Sequence, residues 1–224
     1  MNRFLLVVVV LVLVLPGPIF AAIVYPGSRN VTLTLQGGMS PQAEMAMISI
    51  AGSGDEWDDF TIILEYEMSM TSMMSMSHLA IYAPMGTSPT GMPYMSMIVG
   101  VFDMSSMQMP YALNLAAGEP IDQESSFVPW AILYNTGVGQ FGADGGYIGL
   151  MMDIPGGSPH YAWLRMLSQS NLGENIHSVT FDGSAYEDVP GRGIGAGVIP
   201  APAAIVLGGL GIGLVTWLRR RRVV

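Results

Sequence analysis

The chain predicts an all-β body, a β-sandwich or jelly roll, flanked by an N-terminal signal peptide and a C-terminal transmembrane helix. Three observations carry that expectation. Short runs alternate apolar and polar residues with a period of two, as half-buried strands do. Clusters of Gly and Pro punctuate those runs at short intervals. Between the apolar ends of the chain no segment holds ten or more residues at helical period. About 170 residues lie between those ends, one domain's worth with ample core.

Residues 1–22 read as a secretory signal. Arg3 supplies the positive start, residues 4–15 the apolar stretch, and Pro16, Gly17 and Pro18 the break. Ala21 or Ala22 offers a small residue for cleavage. The apolar stretch is too short to span a bilayer stably.

The body, residues 23–190, begins with an alternating run at 30–36, where Val31, Leu33 and Leu35 share one face. Met45 and Met47 alternate against Ala46, Ile48 and Ile50. Strands are then expected over 60–70, 78–82, 94–102, 111–115, 127–134, 146–153, 161–168 and 176–181, with Gly- and Pro-bearing turns between them. Residues 191–199 read as a linker.

Residues 200–222 form a three-part tail: a Pro200-Ala201-Pro202 box, an apolar run, then Arg219, Arg220, Arg221 and Arg222. At about 1.5 Å per residue the run from Ala203 to Leu218 spans roughly 24 Å, and counting from Ile199 roughly 30 Å, enough for a bilayer. Arginines stay on the cytoplasmic side, so the body is expected outside. Trp217 sits at the level of an interfacial indole. The prolines hold the preceding backbone extended.

Taken together, these parts resemble a PEP-CTERM sorting signal. The family pattern Val-Pro-Glu-Pro stands here as Ile199-Pro200-Ala201-Pro202, with both prolines kept and the Glu replaced. The resemblance implies recognition and removal of the tail by a membrane-embedded, transpeptidase-like exosortase. It also implies a surface or matrix protein of Gram-negative bacteria that build extracellular polysaccharide and biofilm. A plain C-terminal membrane anchor is the alternative. The stretch from Gly145 to Gly191 also resembles what precedes the tail in many such proteins, through Gly145-Gly-Tyr-Ile-Gly-Leu150, His160-Tyr-Ala-Trp-Leu-Arg165 and Ala185-Tyr-Glu187. That likeness implies an exported all-β domain.

All seventeen acidic residues fall between Glu44 and Asp188, a stretch whose bases are Arg165 and, just beyond it, Arg192. So acidic a body is not expected to bind nucleic acid or an anionic membrane surface. No cysteine is present, which excludes disulfides and thiol chemistry. His78, His160 and His177 lack zinc-ligand spacing, and no Gly-x-Ser-x-Gly elbow occurs. Glu65 and Glu67 share a strand face, a pattern that fits a solvated surface better than a glycosidase pair.

Three ligand-binding candidates remain. Asp55, Asp58 and Asp59 around Trp57 offer oxygens to calcium, without the regular spacing of a calcium loop. Met68, Met70, Met74 and Met76 offer thioethers to Cu(I), or else alternate as strand residues with Met inward and Ser outward. Tyr161 and Trp163 lie two apart on one sheet face with Arg165, and are candidates to stack on a glycan; Tyr186 is placed on the same core. No cofactor and no catalytic residue are expected. The expected function is a structural or adhesive role in an extracellular polysaccharide matrix, with a carbohydrate-binding module or a metal-binding anchored protein as alternatives.

Overall fold

The structure is a computed structural model that describes residues 23–24, 30–35, 42–52, 56–68, 75–102, 109–135, 140–172 and 175–199. The signal and the tail, with Pro200, Ala201, Pro202 and Arg219 to Arg222, lie outside the described residues, as do Asp55, Met70 and Met74. Sixteen strands run in chain order among the described residues. They are β1 (Ile23–Val24), β2 (Val31–Thr34), β3 (Gln42–Ser49), β4 (Asp59–Met68), β5 (Ser75–Tyr82), β6 (Met85–Thr87), β7 (Pro93–Met95) and β8 (Met97–Phe102). The second half supplies β9 (Pro110–Ala112), β10 (Pro120–Ile121), β11 (Phe127–Val128), β12 (Trp130–Asn135), β13 (Gly146–Met152), β14 (His160–Leu172), β15 (Asn175–Glu187) and β16 (Ile194–Gly195). One turn of 3-10 helix, Glu56–Asp58, precedes β4. Among the described residues no helix is long and apolar enough to cross a membrane.

The all-β expectation holds. Twelve strands join in one sheet, ordered β1-β15-β14-β13-β8-β9-β12-β5-β4-β3, with β11 on β8 and β2 on β15. This sheet nearly closes on itself. At the seam between β2 and β3 the Thr34 N–H donates to the side chain of Glu44, which bridges the two strands. Two further pairs, β6 with β7 and β10 with β16, stand apart from it.

Alternation explains the core. In β4, Phe60, Ile62 and Leu64 point inward and are buried, while Thr61 and Ile63 between them are half-buried. Their partners Ile48, Ile81 and Leu79 continue the same layer. From the other half, Ile148 and Leu150 of β13, Ala162 and Leu164 of β14 and Val179 and Phe181 of β15 close on it. Burial of these aliphatic and aromatic side chains stabilises the fold by about 1.5–3 kcal/mol each.

Expected strand bounds shift where backbone chemistry intervenes. Residues 127–134 break at Pro129, which has no N–H for a ladder. Residues 94–102 break at Ser96, whose Oγ is buried, donating to the Trp57 carbonyl at 2.8 Å and accepting from the Asp153 N–H at 3.0 Å. At Gly100 a Cβ would stand 2.6 Å from the Tyr111 carbonyl oxygen, so β8 and β9 approach as closely as they do only because that residue has no side chain.

Candidate functional site

The stretch read as a linker, residues 191–199, is a packed strap. β16 pairs with β10 through Ile121↔Ile194. The Gly118 N–H donates to the Ala196 carbonyl at 2.8 Å, and the Ala196 N–H to that of Glu119 at 2.9 Å. Ile194 and Ala196 are buried. The Trp163 indole N–H donates to the Val198 carbonyl at 3.2 Å. At Gly197, where φ is +70°, a Cβ would stand 2.5 Å from the Tyr147 ring; here glycine is required both by backbone and by space. The strap's four glycines make it look like a flexible joint, yet they let it lie flat on aromatic rings.

This strap decides the fate of the glycan candidates. Tyr161 and Trp163 do share a face, the outer face of β14, but Tyr161 is 3% exposed and Trp163 2%. A second apolar cluster of Val99, Leu115, Ile121, Ile194 and Ala196 covers them. Phe127 lies parallel to Tyr161 at 6.1 Å, and Tyr147 meets Trp163 edge-on at 5.5 Å. A sugar-stacking platform needs bare ring faces, and these have none, so the candidacy of Tyr161 and Trp163 as glycan contacts is corrected. Burial pushes the Tyr161 hydroxyl pKa up. Tyr186 packs on the other, inner cluster, because it pairs with Ala162. Arg165 forms a forked ion pair with Asp182, its Nε donating at 2.6 Å, and also hydrogen-bonds the side chain of its cross-strand partner Tyr147; together these hold the guanidinium protonated.

Of the calcium candidates, Asp58 and Asp59 are described. Asp58 is fully buried, and its Oδ2 accepts from the Ser49 hydroxyl at 2.9 Å and the Ala51 N–H at 2.7 Å, fastening the turn before β4. Its Oδ1 has no hydrogen-bond partner. Asp59 opens β4, opposite Ser49. No group of three or more His, Asp or Glu among the described residues could hold a metal.

Of the copper candidates, Met68 and Met76 fall in described strands. Met68 pairs with Ser75 and Met76 with Glu67, so these two positions fall on opposite faces of the β4–β5 hairpin. The expected alternation is inverted at its described end: Ser77 is fully buried among the inward positions of β5. Glu65 stands opposite His78 on the outer face.

Two aromatics that the sequence did not single out are less covered than Tyr161 and Trp163: Tyr82 is exposed and Trp130 half-buried. Tyr82 of β5 and Trp130 of β12 are cross-strand partners on the outer face of the other half-sheet. Their rings are nearly parallel, at 14° and 6.0 Å, and Tyr82 is 38% exposed. Burial and the nearby Glu65 raise the Tyr82 pKa.

A buried polar group lies at the β1 edge. His160 Nδ1–H donates to the Glu187 carbonyl at 2.7 Å, and the Glu187 carboxylate accepts from the Val189 N–H at 3.2 Å and lies 3.9 Å from Arg192. Burial raises the Glu187 pKa against the pull of these partners. The arrangement ties the strap's start to the body. Comparison with protein-family models finds no match, and neither does comparison with curated proteins or with solved structures.

Proposed function

We propose that the chain is an exported protein whose body is delivered to the cell surface and whose tail, residues 200–222, is a sorting signal read by an exosortase-type enzyme. On this reading the body is sandwich-like, preceded by a removed signal peptide and followed by a transmembrane helix with its arginines in the cytoplasm. The observation that carries the proposal is a coincidence of boundaries. The packed strap runs to Val198, where Trp163 holds its carbonyl, and the Pro200-Ala201-Pro202 box begins two residues later. Fold and processing signal therefore meet without an intervening spacer. An acidic β-rich body suits a structural or adhesive role in a polysaccharide matrix, where it stays soluble and avoids nucleic acid.

The test is the intact mass of the exported protein from native host cells and from cells lacking the sorting enzyme. We expect loss of the arginine-bearing tail in the first and its retention in the second. A tail still present in native cells overturns processing.

A second reading, a carbohydrate-binding module, is favoured by the partly exposed Tyr82–Trp130 pair, since parallel aromatic faces on a sheet suit the apolar face of a pyranose ring. Pull-down on host exopolysaccharide with wild type and Trp130→Ala distinguishes the two: only the binding module loses retention in the variant.

A further inference from the structure

Nineteen methionines and no cysteine occur in the chain, and the fold gathers four of those methionines on one surface. Met85 of β6 and Met95 of β7 are directly opposite each other. Flanking backbone bonds, Ser96 N–H to the Pro84 carbonyl and Ser88 N–H to the Met92 carbonyl, make Met85 and Met95 the non-hydrogen-bonded kind of pair, in which side chains stand closest. Burial alternates without a break from Pro93 to Ile98, with Tyr94, Ser96 and Ile98 buried. Met95 and Met97 therefore share the outer side, about 7 Å apart along the chain. Met97 in turn pairs with Met151 of β13. The four positions form a zigzag in which each neighbour lies within the reach of a long side chain.

Packing accounts for only half of this group. Met97 and Met151 are half-buried, but Met85 is 61% exposed and Met95 43%. A stabilising apolar pair would turn inward, whereas these two thioethers face water.

One carboxylate lies beside the group. Asp153 Oδ2 accepts from the Met95 N–H at 2.8 Å. The bases among the described residues, Arg165 and Arg192, lie beside Asp182 and Glu187 instead. Thioethers are soft, neutral donors that select soft metal ions, and a neighbouring carboxylate, Asp153, raises the local concentration of cations.

We propose that Met85, Met95, Met97 and Met151 form a binding site for a soft monovalent cation, Cu(I) or Ag(I). The site is independent of how the tail is processed. It differs from the Met68–Met76 stretch in that the fold itself brings its members together.

The test is titration of the full chain, labelled at the methionine methyl carbons, with Ag(I), followed by NMR and calorimetry. Saturable binding at micromolar or tighter affinity is expected, with four methyl signals moving together. Met85→Leu/Met95→Leu, which preserves volume and fold, is expected to weaken binding tenfold or more. Met45→Leu/Met47→Leu, equally exposed on β3, is expected to leave it unchanged. Absence of saturable binding overturns the proposal, as does binding that survives Met85→Leu/Met95→Leu. Loss of binding with Met70→Leu/Met74→Leu instead would transfer the site to the β4–β5 connection and overturn it equally.

Discussion

Two pairs of aromatics, one on each half of the sheet, have opposite fates. Tyr161 and Trp163 on β14 are sealed, whereas Tyr82 and Trp130 on β5 and β12 meet water. Both pairs project from the outer face of a strand whose inner face lines the same core. The difference comes from elsewhere in the chain. Residues 113–128 and the strap cross one outer face, and nothing among the described residues shields the Tyr82 ring to the same degree. An aromatic on a sheet therefore becomes core or surface according to whether a distant segment lies over it.

The sharpest way to break this contrast is truncation on each side. Trp163→Ala removes a buried indole and its bond to Val198, and is expected to cost about 3–5 kcal/mol. Trp130→Ala should cost about 1 kcal/mol or less. Urea denaturation of both variants measures the gap; equal losses would mean the strap shields nothing.

A subtler effect is expected from the carboxylate at the root of the strap. Glu187 is 2% exposed, and burial raises its pKa above the unfolded value. The native state then holds the proton more tightly than the unfolded chain. This contribution favours folding below the unfolded pKa and is lost as pH rises through the folded one. Glu187→Gln removes the dependence, so its melting temperature relative to wild type should climb as pH rises above the ordinary Glu value of about 4.3. A difference that stays flat above that value would show that Arg192 and the Val189 N–H offset the burial.

The smallest effect belongs to the bare side. Met45 and Met47 are 65% and 67% exposed on β3. Met47→Thr is expected to change stability by no more than about 0.5 kcal/mol in the same denaturation assay.

Much of the sheet was legible because alternation is a local signal. Phe60, Ile62 and Leu64 announce both the strand and its inner face, and Leu33, Ile148 and Leu164 do the same. The shared face of Tyr161 and Trp163 was legible for the same reason. Their burial was not, because it depends on residues more than thirty positions away. The strap was misread because Gly191, Gly193, Gly195 and Gly197 have the composition of a joint. In place, Gly193 and Gly195 have no room for a Cβ, at 2.9 Å from Asp122 and 2.8 Å from Val198. The Met85–Met95 pair was hidden because a run of turn residues from Pro84 to Pro93 separates its members, and only the flanking Met-Gly-Thr and Pro-Tyr-Met hint at a hairpin. Ser77 facing inward defeated the simple rule of methionine in and serine out.

The route by which the chain leaves the fold has a mechanical consequence. Any tension applied beyond Ile199 enters the body at Val198 and meets the strap first. β16 holds β10 over only two residue pairs, so it would peel from the end, one bond at a time, before the long β14–β15 ladder felt the pull. The strap would act as a fuse: tugging would expose Trp163 while leaving the large sheet whole, and slackening would let the rings be covered again.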